Sequence, residues 1–417
     1  MGMMSSQPGV GPLNYGMRVG GFFGALFLIY GVHLPFLPLW FEWRGLTAAE
    51  ISILVALPYF LRVAVSPTAA FFADRSGRHR LFIIALALLT VAMSALLSQL
   101  HGFYAMLVAA VGLSLAMTTI MPLTEVIAVS GVRHYGCDYG RMRLWGSLTF
   151  IVASSVSAWL IGQYGIAIVI WLVLAGCVVT AGAAVLLPPD AGRNAFAQVD
   201  KDSARGGPDS MLDLAAVFGL IRTPVFFLVL IACGTVQAAH ATYYAFGSIH
   251  WSRLGISAEA IGLLWAVGVL AEVALFAWSG AVYRRVSAVA LMLVGALASV
   301  VRWGAMAFDP GIGVLFVLQL THALTFGASH LAAIRYISES VDVRLSGTAQ
   351  ALYATIAMGV AMGAATLLSG TYFPEMAGRT YLLMAGVAGI GLAAGIAVQW
   401  LQRQPVSMRE PGTGGEG

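Results

Sequence analysis

Apolar runs long enough to cross a bilayer recur along the whole chain, separated by short polar breaks. A hydrocarbon core of about 30 Å takes roughly 20 helical residues to span. The runs are too long and too uniformly apolar for the alternating strands of a membrane barrel. The pattern therefore predicts helices over 17–40, 48–73, 81–99, 103–128, 141–162 and 166–187, then over 224–249, 257–282, 287–308, 310–333, 344–370 and 378–401. Twelve helices return both chain ends to one side. The first run, Met17 to Trp40, exceeds a signal-peptide core and lacks a small-residue cleavage site, so it counts as a helix.

Composition agrees with the pattern. Of 417 residues, 59% are hydrophobic and only 10% charged, against about 25% charged in soluble domains. An all-α membrane protein is expected. Cys137, Cys177 and Cys233 show no metal or redox spacing, so neither a metal site nor a cofactor is expected. Met1 and Gly2 followed by Ser6 fit a myristoylation pattern, an anchor that a many-helix chain does not need.

Charge sets the expected orientation. Of the 22 Lys and Arg, seventeen fall at the side of the two termini, three (Arg44, Arg253, Arg379) fall opposite, and Arg62 and Arg302 fall inside helices. The positive-inside rule then puts both termini in the cytoplasm, as expected for a bacterial-type inner (plasma) membrane. The formal net charge of +4 follows from this topology and calls for no nucleic acid. Residues 188–222, mixed in charge and rich in Gly, Pro and Asp, read as a cytoplasmic linker between a bundle at 1–187 and another at 223–403, with a disordered tail at 404–417.

An internal repeat supports that division. Gly45-Leu46-Thr47-Ala48-Ala49-Glu50-Ile51 is answered by Gly255-Ile256-Ser257-Ala258-Glu259-Ala260-Ile261, an offset of 255 − 45 = 210 residues. Parallel repeats of six helices mark one large class of transporters. The same offset sends Arg62 to Glu272.

Charged groups inside a membrane are costly and face a partner or a wet cavity. Glu125 and Arg143, eighteen residues apart on consecutive helices, are read as a pair facing a central cavity; the plain alternative is an ion pair that only staples helices. Glu272, Arg302, His322 and His330 form a second set, able to satisfy one another across three helices, although a lone helical histidine is usually a hydrogen-bonded structural residue. Aromatic residues flank both sets: Tyr30 and His33, Trp145 and Phe150, Tyr243, Tyr244 and Phe246, Trp265 and Trp303. Trp40, Trp43, Trp251 and Trp400 are expected in the interfacial belt. Trp145 and Trp303 are candidates to frame an amphipathic substrate, while Arg62, Arg143 and Arg302 suit a carboxylate and planar rings an aryl group.

Asp74-Arg75-Ser76-Gly77-Arg78 joins the second and third helices and resembles the signature of the major facilitator superfamily, although Ala70 stands where its first glycine is usual. That resemblance implies a gating role for Asp74, Arg75, Gly77 and Arg78. The Tyr139-Gly140-Arg141-Met142-Arg143 run with Glu125 looks like the galactoside/proton symporters. A fuller likeness is to the phenylpropionate permease family. It rests on Asp138 to Ser147, Ala239-His240-Ala241-Thr242-Tyr243-Tyr244-Ala245-Phe246, Ala271-Glu272, Arg302-Trp303-Gly304 and His330 to Ile337.

The resemblance implies twelve helices in two six-helix bundles and proton symport of a small organic acid such as 3-phenylpropionate by a monomer. The substrate set would be Glu125, Arg143, Arg62, Tyr30, His33, Trp145, Phe150, His240, Tyr243 and Trp303; the proton set would be Glu272, Arg302, His322 and His330. Glu272 is the expected carrier of the proton, with His322 as a relay and Arg302 discharging it. Thr325 stands where the galactoside symporters carry a glutamate, and Gln237, His240 and Gln319 replace charged residues, so the second half cannot titrate as theirs does. A sugar or nucleoside symporter remains the alternative within transport. A non-transporting sensor is the alternative outside it, short of any large signalling domain. No phosphate loop, metal spacing or paired nucleophile and base points to an enzyme.

Overall fold

The computed structural model describes residues 11–188 and 214–403. The myristoylation pattern, linker residues 189–213 and the tail from 404 lie outside the described residues. Six long helices come first: α1 (Pro12–Trp43), α2 (Ala48–Ser76), α3 (His79–Gln99), α4 (Phe103–Tyr135), α5 (Tyr139–Tyr164) and α6 (Val169–Leu186). A short α7 (Leu214–Arg222) follows, so the end of the segment read as linker is helical. Then come α8 (Pro224–Ala238), α9 (Ala241–Arg253), α10 (Ala258–Ala277), α11 (Ser279–Arg285), α12 (Ala288–Met306), α13 (Ile312–Leu320), α14 (Ser329–Ser340), α15 (Ser346–Thr355), α16 (Met362–Met376) and α17 (Thr380–Arg403).

Among the described residues, eleven helical stretches are long and apolar enough to cross a membrane. The last, Val343–Arg403, runs for 61 residues and holds both final predicted helices. It breaks at Ala377, whose φ of 45° is costly for a residue with a Cβ. There the chain reverses: Gly378 lies against Asp309 and His250, whereas Gly391 lies further along α8 against Thr235.

Local chemistry sets the ends. Thr47 caps α2 in a capping box with Glu50, and Ser257 caps α10 by accepting the Ala260 amide at 3.3 Å. The two caps are 210 residues apart, and each follows a glycine with positive φ, Gly45 at 86° and Gly255 at 79°. The repeat is thus one local fold used twice. The predicted seventh helix is broken between α8 and α9, where the His240 ring bonds the Val236 and Gln237 carbonyls at 3.1 Å each and competes with the helix ladder. Two π turns interrupt the later helices, at Ala323–Ala328 and Ile356–Ala361.

α1 packs on α5 and α6, and α3 on α4 and α6; later, α17 packs on α8 and α12. The halves meet through α2 with α16, α5 with α10, and α1 with α9. Glycines make these approaches close: a Cβ on Gly262 would sit 2.4 Å from that of Ala158, and one on Gly370 2.1 Å from that of Ser52. At one face Arg253 grips Glu42 across the halves, at 2.6 and 2.9 Å; this is the latched face. Around it the halves share one apolar core, while towards the other face the second half has a core of its own. There α2 leaves Phe71 and Phe72 more than half exposed.

The expected belt is corrected at two positions. Trp43 and Trp400 are exposed, but Trp40 and Trp251 are buried. Trp40 packs on Phe41 beneath Arg44, and Trp251 packs against Tyr243. Aromatic packing in the core outweighs what an interfacial position offers them.

Candidate functional site

A cavity of about 220 Å³ lies between α1, α2 and α4, with Tyr244 of α9 reaching in. Leu37, Pro38, Phe41 and Leu54 wall the end nearer the latched face, while Tyr30, Tyr59, Arg62 and Thr118 lie towards the membrane centre. The space is therefore amphipathic along its length. The Arg62 guanidinium sits 5.0 Å from the Tyr59 ring and donates to the backbone carbonyl of Met358 in the other half. Tyr30 donates to the Met117 carbonyl at 3.2 Å, and His33 lies 3.4 Å from the Ser114 hydroxyl.

Glu125 and Arg143 form no direct ion pair. The Arg143 guanidinium rests on Phe27 at 4.2 Å, a cation–π contact, and its Nη1 is buried without a hydrogen-bond partner. The polar neighbour of Glu125 is the Tyr139 hydroxyl. Arg143 still acts through space on Glu125, on Tyr30 and on Glu272 of the other half.

The second half holds an ordered polar chain. Arg302 is fully buried and donates to Gln319 Oε1 at 2.8 Å, Thr325 Oγ1 at 2.9 Å and His322 Nδ1 at 3.1 Å. Because His322 Nδ1 accepts from a guanidinium, its proton sits on Nε2, which faces Glu272 Oε2 at 3.5 Å. His240 uses Nδ1–H on backbone carbonyls, so its Nε2 accepts from the Thr325 hydroxyl at 3.1 Å. Arg302 also lies 4.5 Å from the Trp303 ring and 5.3 Å from that of Tyr243. His322, Phe326 and His330 stack in series, with centroids 5.4 and 6.3 Å apart, and His330 acts on Glu272 through space.

The structure thus brings Tyr30, His33 and Arg62 into one cavity, and Glu272, Arg302, His322 and His240 into one network. His322 stands between Glu272 and Arg302, its two ring nitrogens facing one each. Trp145 is 56% exposed, its indole against Gly20 of α1, and Phe150 is buried. Tyr243 and Trp303 are buried beside Arg302 and do not line the cavity. In the turn after α2, Asp74 pairs with His79 at 2.6 Å, Gly77 is left-handed at φ 62°, and Arg75 and Arg78 are exposed.

Sequence reasoning missed Tyr59, Ser114 and Thr118. Each carried a signal: Tyr59 is one turn from Arg62, and Ser114 and Thr118 share a face of an otherwise apolar helix. The Met358 carbonyl carried none.

Residues 18–383 match the model of the MFS_1 like family. The "Probable 3-phenylpropionic acid transporter" of Escherichia coli (strain K12) is 32% identical over 366 residues, covering 87% of this chain and 92% of that protein. The "Maltose permease" of Geobacillus stearothermophilus is 26% identical over 372 residues, 89% of each chain. The crystal structure of the nucleoside transporter NupG superposes with a TM-score of 0.74 at 15% identity, covering 94% of this chain and 100% of that one. At that identity the likeness concerns the fold.

Proposed function

The chain belongs to the MFS_1 like family and is a membrane transporter of the major facilitator type; from that premise we propose proton-coupled uptake of a small aromatic carboxylate such as 3-phenylpropionate. The observation that carries this reading is the amphipathic cavity, with apolar and aromatic walls at one end and Arg62 among tyrosines at the other. A guanidinium suits a carboxylate's two oxygens, and the apolar end suits a ring. The 32% identity to a protein named for 3-phenylpropionic acid supports the same choice.

Glu272 is the proposed proton carrier. With Glu272 ionised, its charge offsets part of that of Arg143 through space; with Glu272 protonated, Arg143 is left to balance the substrate's charge. Proton and anion then bind as a neutral pair, which couples the two. Arg302 acts through His322, holding its Nε2–H towards Glu272. Asp74, Arg75, Gly77 and Arg78 belong to the gate in this reading.

The proposed organisation is two six-helix bundles, 1–187 and 223–403, rocking about the central site, with the break at Ala377–Arg379 dividing the last stretch into two crossings. Both termini face the cytoplasm of a bacterial-type inner membrane, and the latched face points outward. The protein works as a monomer.

The test is a thermal-shift and calorimetric screen of the purified protein against aryl acids, sugars and nucleosides, followed by uptake into proteoliposomes under a pH gradient. Stabilisation and uphill uptake of aryl acids are expected. Stabilisation by maltose, galactosides or nucleosides with no response to any aryl acid overturns the reading in favour of a sugar or nucleoside symporter.

A further inference from the structure

Arg62 lines the cavity, yet its Nη2 is bonded to the Met358 carbonyl of the opposite half. Local geometry makes that carbonyl available. Met358 lies in the π turn Ile356–Ala361. In an unbroken α-helix the amide of residue 362 returns to the carbonyl of residue 358; here the Met362 amide bonds the Gly359 oxygen instead. Turns of this kind recur at functional sites. Gly359 lets the turn approach α2, since a Cβ there would sit 3.1 Å from Val63 and 3.5 Å from the Tyr59 carbonyl.

The guanidinium therefore has a neutral acceptor in place, and that bond ties α2 to the helix opposite. A carboxylate is the stronger acceptor, since charge-assisted hydrogen bonds are about twice as strong as neutral ones. A neutral amide offers the same kind of oxygen as Met358 and gains nothing by displacing it. We propose that Arg62 selects anionic ligands by exchange: the Met358 carbonyl is a built-in competitor that only a carboxylate displaces, and its displacement releases the midplane tie between the halves. The ligand named in the test rests on the aryl-carboxylate reading above; the tie itself does not.

Two measurements on the full-length protein test this. Calorimetry compares 3-phenylpropionate with its primary amide, and the acid is expected to bind about 10- to 100-fold tighter. Pulsed electron resonance reads the distance between spin labels at Phe71→Cys and Val343→Cys, positions 57% and 90% exposed; the native cysteines are buried. The acid is expected to shift that distance and the amide to leave it unchanged. Arg62→Gln is expected to alter the ligand-free distribution, because the tie is gone before any ligand arrives. A ligand-free distribution identical to wild type overturns the proposal, as does equal binding of acid and amide. If no aryl acid binds wild type, the substrate reading fails, and the ligand-free comparison still decides the tie. Should Arg62→Gln not fold, Arg62→Lys is expected to bind the acid at least about tenfold more weakly while still preferring it to the amide; loss of that preference overturns the exchange.

Discussion

Adding one methyl group to Gly262 is expected to move the protein away from its latched state. A Cβ there would lie 2.4 Å from Ala158 Cβ and 2.7 Å from the Ser154 carbonyl oxygen. Carbon atoms rest comfortably at about 3.5–4.0 Å, so α5 and α10 must part by about 1 Å. Overpacking of this kind costs about 1–3 kcal/mol. A conformation in which the two helices separate at the latched face escapes that cost, so the equilibrium shifts towards it by a factor of about 5 to 150. Gly370→Ala is the matched lesion at the other interface, where the Cβ would sit 2.1 Å from Ser52 Cβ and 3.0 Å from the Ala48 carbonyl. Spin labels at Tyr104→Cys and Phe308→Cys, 83% and 74% exposed beside the latched face, report the separation. A new population at longer distance is expected in Gly262→Ala, and a larger one when both glycines are replaced. A folded variant with the parent's distance distribution would falsify the reasoning that these contacts close the face.

Glu272→Gln is expected to abolish uphill, pH-driven accumulation while sparing counterflow; persistent uphill uptake moves the proton elsewhere. Arg302→Met strips three side-chain acceptors of their donor and should destabilise by about 3 kcal/mol or more, read as a lowered melting temperature in detergent; an unchanged melt refutes the assigned role. Arg143→Ala is expected to abolish substrate binding, whereas Glu125→Ala, whose direct partner is Tyr139, is expected to weaken transport less; equal losses would restore the direct pair. Glu42→Gln is expected to shift the latched state by under about 1 kcal/mol, since the Glu42–Arg253 pair is partly exposed, and a large shift in the same distance assay refutes that estimate.

Helix spans, the repeat and the clustering of charge in the second half were legible because each depends on residue type and spacing. What was not legible depends on rotation about a helix axis. Glu125 and Arg143 lie on consecutive helices, but the azimuth that gives Arg143 to Phe27 and Glu125 to Tyr139 leaves no trace in spacing. Trp40 and Trp251 sit near helix ends, where interfacial tryptophans also sit, and only packing separates the two fates. Glu272, His322 and Arg302 were seen as a set, but their order required distances. The partner of Arg62 is a backbone oxygen, which every residue carries, so no residue type marks it.

The π turn at Ile356–Ala361 also fixes the phase of the helix beyond it. Each residue inserted into an α-helix winds everything downstream by about 100°. Gly363 and Gly370, the points where α16 meets Phe60 and Ser52, both lie downstream of the turn. Without its extra residue, α16 would present a different stripe to α2 and carry both glycines away from the interface. The smallest change able to re-index which face of this helix meets the other half is thus a one-residue insertion or deletion, which no substitution at the glycines can imitate.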